Sequence, residues 1–179
     1  SFELDTLHTR DFAPSLIERE CDVAIGYGTG AKARLGLRQI GQIELLLAAR
    51  KDQFVPSDGV VDIEDLADRD FIGLRDSGPS GAMLVDELDR LGIVPREVVV
   101  ARTYYVALAL AQRGVGVTVV DEFTARNILD GEVGFYSFRR PMVAPVTAYF
   151  LDEKSENPLI VEFLETVERV LSSTDPTRA

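Results

Sequence analysis

Short apolar runs alternate with helical patterns along most of this chain. Residues 43–49 and 117–120 are almost continuously apolar, as is typical of strands that are buried on both faces. After Ser80, Thr103 and Pro158, apolar residues instead recur every three or four positions, which is the repeat of an amphipathic helix. Strands that alternate with helices predict an α/β fold with mixed, mainly parallel sheets.

The start of the chain also follows a strand pattern. Apolar and polar residues alternate over residues 2–7, which predicts a half-buried strand. Asp11 suits the N-cap of a helix that extends to Glu20, and a strand over residues 23–25 follows directly. Such a unit predicts a right-handed crossover in a parallel sheet. Because the chain opens inside a strand pattern and has no initiator Met, we expect a fragment of a longer protein.

Capping and turn residues predict the other elements. Asp62 opens an Asp-Ile-Glu-Asp sequence that is similar to a capping box, and Pro158 suits the start of the last helix. Gly114 and Gly116 mark a helix exit. Helices are predicted over residues 62–68, 80–91, 104–113, 121–129 and from 157 onward, and strands over residues 43–49, 71–74, 98–100, 117–120, 133–138 and 146–151, the last two around Pro141 and Pro145.

Composition limits the class of protein. The chain has 179 residues, 46% of them hydrophobic, and can bury a core as one domain or two small lobes. Its formal net charge of -11 opposes binding to a phosphate backbone, so we do not expect this chain itself to contact DNA. No apolar run reaches the ~18 residues of a membrane span and no signal peptide is recognisable, which predicts a cytoplasmic protein without a membrane partner. Cys21, the lone cysteine, is expected to be a packing residue.

Signals for catalysis and metal binding are weak. His8 is the only histidine, and no second ligand stands at metal-site spacing, so we predict no metal, no cofactor and no catalytic residue. The Gly-Tyr-Gly-Thr-Gly sequence at residues 26–30 follows a strand but opens no helix, and we interpret it as a loop rather than a nucleotide-binding motif. Acidic residues such as 86–89 indicate solvated helix faces.

Three strand-to-helix turns carry short polar or charged residues. In open α/β sheets, ligands bind beyond the carboxyl ends of strands, where helix N-termini offer N–H groups and a partial positive charge. One interpretation is that these residues only cap helices. The occurrence of three such turns together favours the other interpretation, a cleft that binds an anion. Arg75 and Asp76 could bind a zwitterion together or pair with each other. The candidate ligand-binding residues in these turns are His8, Thr9, Arg75, Asp76, Ser77, Thr103 and Tyr104.

Three motifs carry a family resemblance. The sequence Leu-Ile-Glu-Arg-Glu-Cys-Asp-Val-Ala-Ile-Gly at residues 16–26 is similar to the helix, turn and strand of LysR-type transcriptional regulators. Residues 61–67 resemble the passage into the second lobe of that family, and residues 109–117 resemble its glycine-containing turn. Because of the order and spacing of these motifs along its whole length, the chain resembles the effector-binding domain of these regulators. Residues 120–125 resemble a variant in members that respond to amino acids.

The resemblance implies a two-lobed, type II periplasmic-binding-protein-like fold with a cleft between the lobes. The first lobe would comprise residues 1–43 and 142–179, without its N-terminal part, and the second lobe residues 44–141. A small effector, such as an amino acid or carboxylate, would bind in the cleft. Thr9 would contribute from the first lobe. The second lobe would contribute Leu74, Arg75, Asp76, Ser77, Thr103 and Tyr104, with Leu74 added by the resemblance alone.

The resemblance also implies partners. The protein would form homodimers and homotetramers, and it would bind DNA only through an N-terminal helix-turn-helix domain that this chain lacks. Two other functions share the architecture and stay open at this point. A solute-binding protein of a transporter would be exported, and an enzyme on the same fold would need a catalytic residue such as His8 or Asp76.

Overall fold

A computed structural model of the chain describes residues 2–28, 35–74, 78–127, 131–154 and 157–173. The helices in these ranges are α1 Phe12–Ile17, α2 Gly78–Leu91, α3 Tyr104–Gln112, α4 Glu122–Arg126 and α5 Pro158–Ser173, with short 3-10 helices at Thr9–Asp11, Ile63–Leu66 and Asp152–Lys154. The strands are β1 Ala24–Tyr27, β2 Leu35–Arg50, β3 Val60–Val61, β4 Asp70–Leu74, β5 Arg96–Ala101, β6 Thr118–Asp121 and β7 Val133–Leu151. The chain divides into a first unit, residues 1–42 with 145–179, and a second unit, residues 43–144.

The first unit is held together by an antiparallel pair and a small aromatic core. Strand β1 pairs with β7, with Ala24 opposite Tyr149. The rings of Phe12 in α1 and Tyr149 meet edge to face, with centroids 5.6 Å apart. Both rings belong to a buried cluster that also contains Leu16 and Leu35. Burial of these apolar side chains is the main favourable contribution to this unit.

The second unit is built on a parallel pair of strands. Strand β4 pairs with β5, with Leu74 opposite Ala101, and Phe71 forms a parallel bridge to Val117 just before β6. Strand β6 pairs antiparallel with β2, and β3 pairs parallel with β7. The small residues Ala107 and Ala111 bring α3 close to the sheet beside Ile72 and Ala101. The α/β class and mixed sheets predicted from the sequence are therefore confirmed.

Two glycines shape the entry into β6. Gly114 has φ +75°, a left-handed conformation that side chains other than glycine rarely adopt, and it ends α3. A Cβ on Gly116 would lie 2.4 Å from the backbone oxygen of Asp70. This close approach lets Val117 N donate a 2.8 Å hydrogen bond to Asp70 O. The helix exit predicted from these glycines is confirmed.

Three predictions near the start of the chain are wrong. Residues 2–8 form neither helix nor strand, and Phe2 and Leu4 are 81% and 87% exposed. An alternating pattern becomes a strand only where a neighbouring strand accepts it, and no described residue pairs with this segment. The helix expected from Asp11 to Glu20 ends at Ile17, and its N-cap forms no side-chain hydrogen bond. The parallel crossover expected from this unit is not formed, because residues 2–8 are not a strand and β1 pairs antiparallel with β7.

The two strands predicted around Pro141 and Pro145 are one continuous strand, β7. Both prolines fall between residues 137–138, which pair with β3, and residues 146–149, which pair with β1. The missing proline N–H groups are therefore not needed in either of these ladders. The last helix begins at Pro158 as predicted.

Candidate functional site

The carboxyl ends of three strands in the second unit reach the same edge. Leu74 ends β4 and Ala101 ends β5, and these residues are register partners in a parallel pair. Strand β6 runs parallel to β4, as the bridge from Phe71 to Val117 shows, and it ends at Asp121. The buried Thr118 hydroxyl in β6 donates a 2.9 Å hydrogen bond to Ile72 O in β4 and so links these two strands. This edge is therefore a rigid support for the turns that follow it.

Thr103 stands in the turn between β5 and α3. Its backbone is extended, and its Oγ1 accepts a 3.3 Å hydrogen bond from Val106 N, so it is the predicted helix N-cap. The residue is exposed. Because a hydroxyl has two acceptor sites and one donor, Thr103 can bond a ligand while it caps the helix. The first N–H groups and the positive end of α3 favour a negatively charged ligand at this position.

Leu74 and Tyr104 line one cavity of about 340 Å³ in the second unit. Its wall is mostly apolar, with Leu84 and Leu88 of α2 on one side and Val119 of β6 on another. The volume lies at the lower end of the range of about 300–1,000 Å³ that small-molecule sites occupy. Two of the predicted ligand-binding residues thus share a cavity, and Thr103 lies next to one of them in the chain.

Asp121 caps α4 at the same edge, and each of its carboxylate oxygens already accepts a hydrogen bond there. Its Oδ1 accepts from Thr124 N at 2.9 Å and its Oδ2 accepts from Thr124 Oγ1 at 2.8 Å. The residue is only 2% exposed. Asp121 therefore has a structural function in this turn.

In the first unit, His8 and Thr9 lie where the chain enters a 3-10 helix. His8 is the N-cap residue of that helix, and its backbone oxygen accepts from Asp11 N at 2.8 Å, but its side chain forms no capping hydrogen bond. His8 is exposed and Thr9 is half-buried. Both side chains flank the start of α1.

Thr147 in β7 was missed by the sequence reasoning. It is 2% exposed, and its Oγ1 has no hydrogen-bond partner among the residues that the structure describes. Its register partner Gly26 faces the ring of Phe12, so Thr147 lies on the α1 side of the pair. A buried hydroxyl without a partner is costly and is a candidate ligand contact. The only signal in the sequence is one polar residue inside the apolar run 146–151.

The remaining candidates, Arg75, Asp76 and Ser77, lie outside the described residues. Whether Arg75 and Asp76 pair with each other or bind a ligand stays a prediction.

Residues 1–172 match the family model for the LysR substrate binding domain. The chain belongs to that family. The HTH-type transcriptional regulator DgcR from Pseudoalteromonas sp is 28% identical over 171 residues, which are 96% of this chain and 59% of that protein. This chain therefore spans about three-fifths of the length of the curated relative that it matches.

Solved structures share the fold of this LysR domain. HinK, a LysR family transcriptional regulator from Pseudomonas aeruginosa, has a TM-score of 0.79 at 14% identity and covers 93% of this chain and 59% of its own. The CcmR regulatory domain from Synechocystis PCC6803, solved in complex with 2-PG, has a TM-score of 0.79 at 16% identity, over 94% of this chain and 82% of that one. The predicted family is confirmed, and its fold is the two-lobed type II periplasmic-binding-protein-like fold. Domains of this family are the effector-binding parts of transcriptional regulators, as predicted.

Cys21 of this LysR domain packs against the aromatic core of the first unit. Burial raises the pKa of its thiol, and the negative charges of Asp22 and Glu20 raise it further. A thiol with a raised pKa is a poor nucleophile because the thiolate is the reactive form. The prediction that Cys21 is a packing residue is therefore confirmed.

Within the described ranges, no three His, Cys, Asp or Glu side chains are grouped so that they could hold a metal ion. Among the helices in the same ranges, none combines the length and apolar character that a bilayer crossing requires.

Proposed function

We propose that this LysR domain senses a small anionic effector for a cytoplasmic transcription factor and is not itself an enzyme. The observation that supports this most directly is the joint placement of Leu74, Thr103 and Tyr104 at one sheet edge, with an apolar cavity and a helix N-terminus beside them. A ligand with a carboxylate or phosphate and a small carbon body suits this arrangement. The complex of the related CcmR domain with 2-PG is consistent with a small ligand.

The proposed effector contacts are His8 and Thr9 in the first unit, and Leu74, Arg75, Asp76, Ser77, Thr103 and Tyr104 in the second. Thr147 is added to this set because its hydroxyl is buried without a described partner. We place the lobe boundaries at residues 43–44 and 141–142. The effector would shift the balance between two pre-existing arrangements of the protein by binding one of them more tightly.

The proposal extends to partners that belong to the whole protein. The family and the HTH-type relative DgcR support DNA binding through a helix-turn-helix domain outside these residues, and assembly as a homodimer or homotetramer. The acidic chain, with net charge -11, would contribute no direct affinity for DNA.

Calorimetric titration of the chain against small carboxylates and aromatic acids tests the effector site. A hit should bind about tenfold more weakly to the Thr103→Ala variant, because one hydrogen bond to the ligand is lost. Thr103→Ser keeps the hydroxyl and should restore binding. The matched control is Thr166→Ala in α5, where the hydroxyl donates to Glu162 O and is exposed. Equal affinity of the wild type and Thr103→Ala for every hit would refute the proposed site.

A further inference from the structure

Helix α2 separates two cavities in the second unit. Leu84 and Leu88 face the cavity that contains Tyr104, whereas Met83, Glu87 and Arg90 face a larger cavity of about 710 Å³. The latter three positions are spaced by four and three residues and so lie on one helix face. The other walls of the larger cavity come from β3, the 3-10 helix after it and β7. None of its lining residues belongs to the proposed effector site.

The inner wall of the larger cavity is apolar. Val61, Phe138 and Met142 are buried at 0%, 3% and 8% exposure, and Met83 and Leu91 cover the α2 side. The chain contains two methionines, and both line this cavity. Methionine is unbranched and polarizable, and it adapts to ligands of different shapes. The volume lies well inside the range of small-molecule sites.

Two of the three arginines around this cavity are already paired with carboxylates. Arg139 donates from Nε to Asp62 at 2.8 Å and from Nη2 to Asp58 at 2.7 Å. Arg90 donates to both carboxylate oxygens of Glu87, at 2.7 and 2.6 Å. In both pairs, carboxylates already balance the positive charge of the guanidinium.

Three other charged groups on this rim have no such partner. Arg140, Glu64 and Asp86 form no hydrogen bond or ion pair within the part of the chain that the structure describes. The pKa of Glu87 is lowered chiefly by its hydrogen bond from Arg90, with a smaller contribution from the charge of Arg140, so Arg140 lies near the cavity face of α2. One guanidinium and two carboxylates therefore surround an apolar wall.

We propose that this cavity is an accessory site for a small zwitterion with an apolar body. Arg140 binds the carboxylate of the ligand, Glu64 and Asp86 bind its ammonium group, and the apolar body contacts Met83 and Met142. The arrangement uses every charged group that the rim leaves without a hydrogen bond or ion pair, and it places each charge of the ligand beside groups of the opposite sign. This site is separate from the proposed effector site and does not depend on it.

The two methionines provide a direct test. In the whole chain labelled with [13C-methyl]methionine, Met83 and Met142 give two native signals that report on this cavity. Titration with L-leucine, L-methionine or L-phenylalanine should shift both signals in a saturable manner for at least one of them. Two analogues that each carry one charge, 4-methylpentanoate and 3-methylbutylamine, should bind at least about tenfold more weakly than L-leucine if leucine is the ligand found.

Variants distinguish the two sites. Arg140→Gln should weaken binding at least about tenfold, because a charge-assisted bidentate bond is lost, whereas Arg169→Gln on the exposed face of α5 should leave it unchanged. Thr103→Ala should also leave it unchanged. Loss of binding in Thr103→Ala but not in Arg140→Gln would assign the ligand to the effector site and overturn the accessory site. Absence of methionine shifts with all three amino acids, or equal binding of the singly charged analogues, would overturn it as well.

Discussion

Thr103 and Asp121 start two helices at the same sheet edge, and they use their side chains in different ways. Asp121 is 2% exposed, and Thr124 occupies both of its carboxylate oxygens. Thr103 is exposed and accepts one hydrogen bond of 3.3 Å. The same sequence signal, a short polar residue after a buried strand, thus marks a structural cap in one turn and an available ligand contact in the other.

Helix length reinforces this difference. Helix α3 has nine residues, and α4 has five. The carboxylate of Glu122 lies at the start of α4, where it accepts from Glu44 N at 3.1 Å and pairs with Arg126 at 2.7 Å. An anion would meet negative charge at α4 and N–H groups at α3. The comparison teaches that spare hydrogen-bonding capacity, rather than residue type, identifies the candidate site.

Asp121→Ala should have the largest effect on stability. The substitution removes two hydrogen bonds and leaves the N–H and hydroxyl of Thr124 without their partner. We expect the free energy of unfolding to fall by about 2–3 kcal/mol. Urea denaturation followed by circular dichroism measures this change. An unchanged midpoint would mean that Asp121 is not the structural cap that its hydrogen bonds indicate.

Thr103→Ala should cost less stability. The residue is exposed and its capping bond is long, so we expect a loss of about 0.5–1 kcal/mol in the same denaturation experiment. Its effect on effector binding should exceed its effect on folding. If both alanine variants lost equal stability, the distinction between the two helix starts would fail.

The smallest and most pH-dependent effect on stability is expected beside a third helix start, at Asp62. Asp62 shares Arg139 with Asp58, and the hydrogen bond from Arg139 lowers the pKa of Asp58 below its ordinary value of 3.8. A carboxylate whose pKa is lowered by folding stabilises the folded state at pH values above its ordinary pKa. This contribution is lost as the pH falls through the folded-state pKa.

The Asp58→Asn variant therefore tests the sign of this contribution. Its melting temperature should lie below that of the wild type at about pH 7 and approach it as the pH falls to about 3. Differential scanning fluorimetry across this range measures the difference. A difference that grows towards acid pH would contradict the assignment, and Asp65→Asn, which keeps Arg139 paired with both partners, serves as the control.

Local signals predicted much of the second unit. The caps at Thr103 and Asp121, and the exit at Gly114, depend on residues within four positions of each other, so the sequence alone contains them. The two hydrogen-bond partners of Arg139 lie 77 and 81 positions away from it in the sequence, so local spacing could not predict these bonds. The unpaired hydroxyl of Thr147 likewise depends on which strands become neighbours.

The errors at the start of the chain have the same origin. Residues 2–7 have the alternation of a strand, but a strand exists only where a partner supplies hydrogen bonds, and none does among the described residues. The continuity of β7 through Pro141 and Pro145 also depends on which neighbours pair with it, since composition alone predicts an interruption there. The roles of Arg75, Asp76 and Ser77 remain predictions.

The interrupted first unit has a consequence for recombination between related genes. The second unit is inserted between residues 42 and 145, so β1 and its partner segment of β7 are encoded on opposite sides of it. A chimera with one crossover inside the insertion would join β1 from one parent to β7 from the other. Exchange of residues 43–144 through two crossovers keeps this pair from a single parent, so it transfers the contacts of the second unit without mismatching β1 and β7.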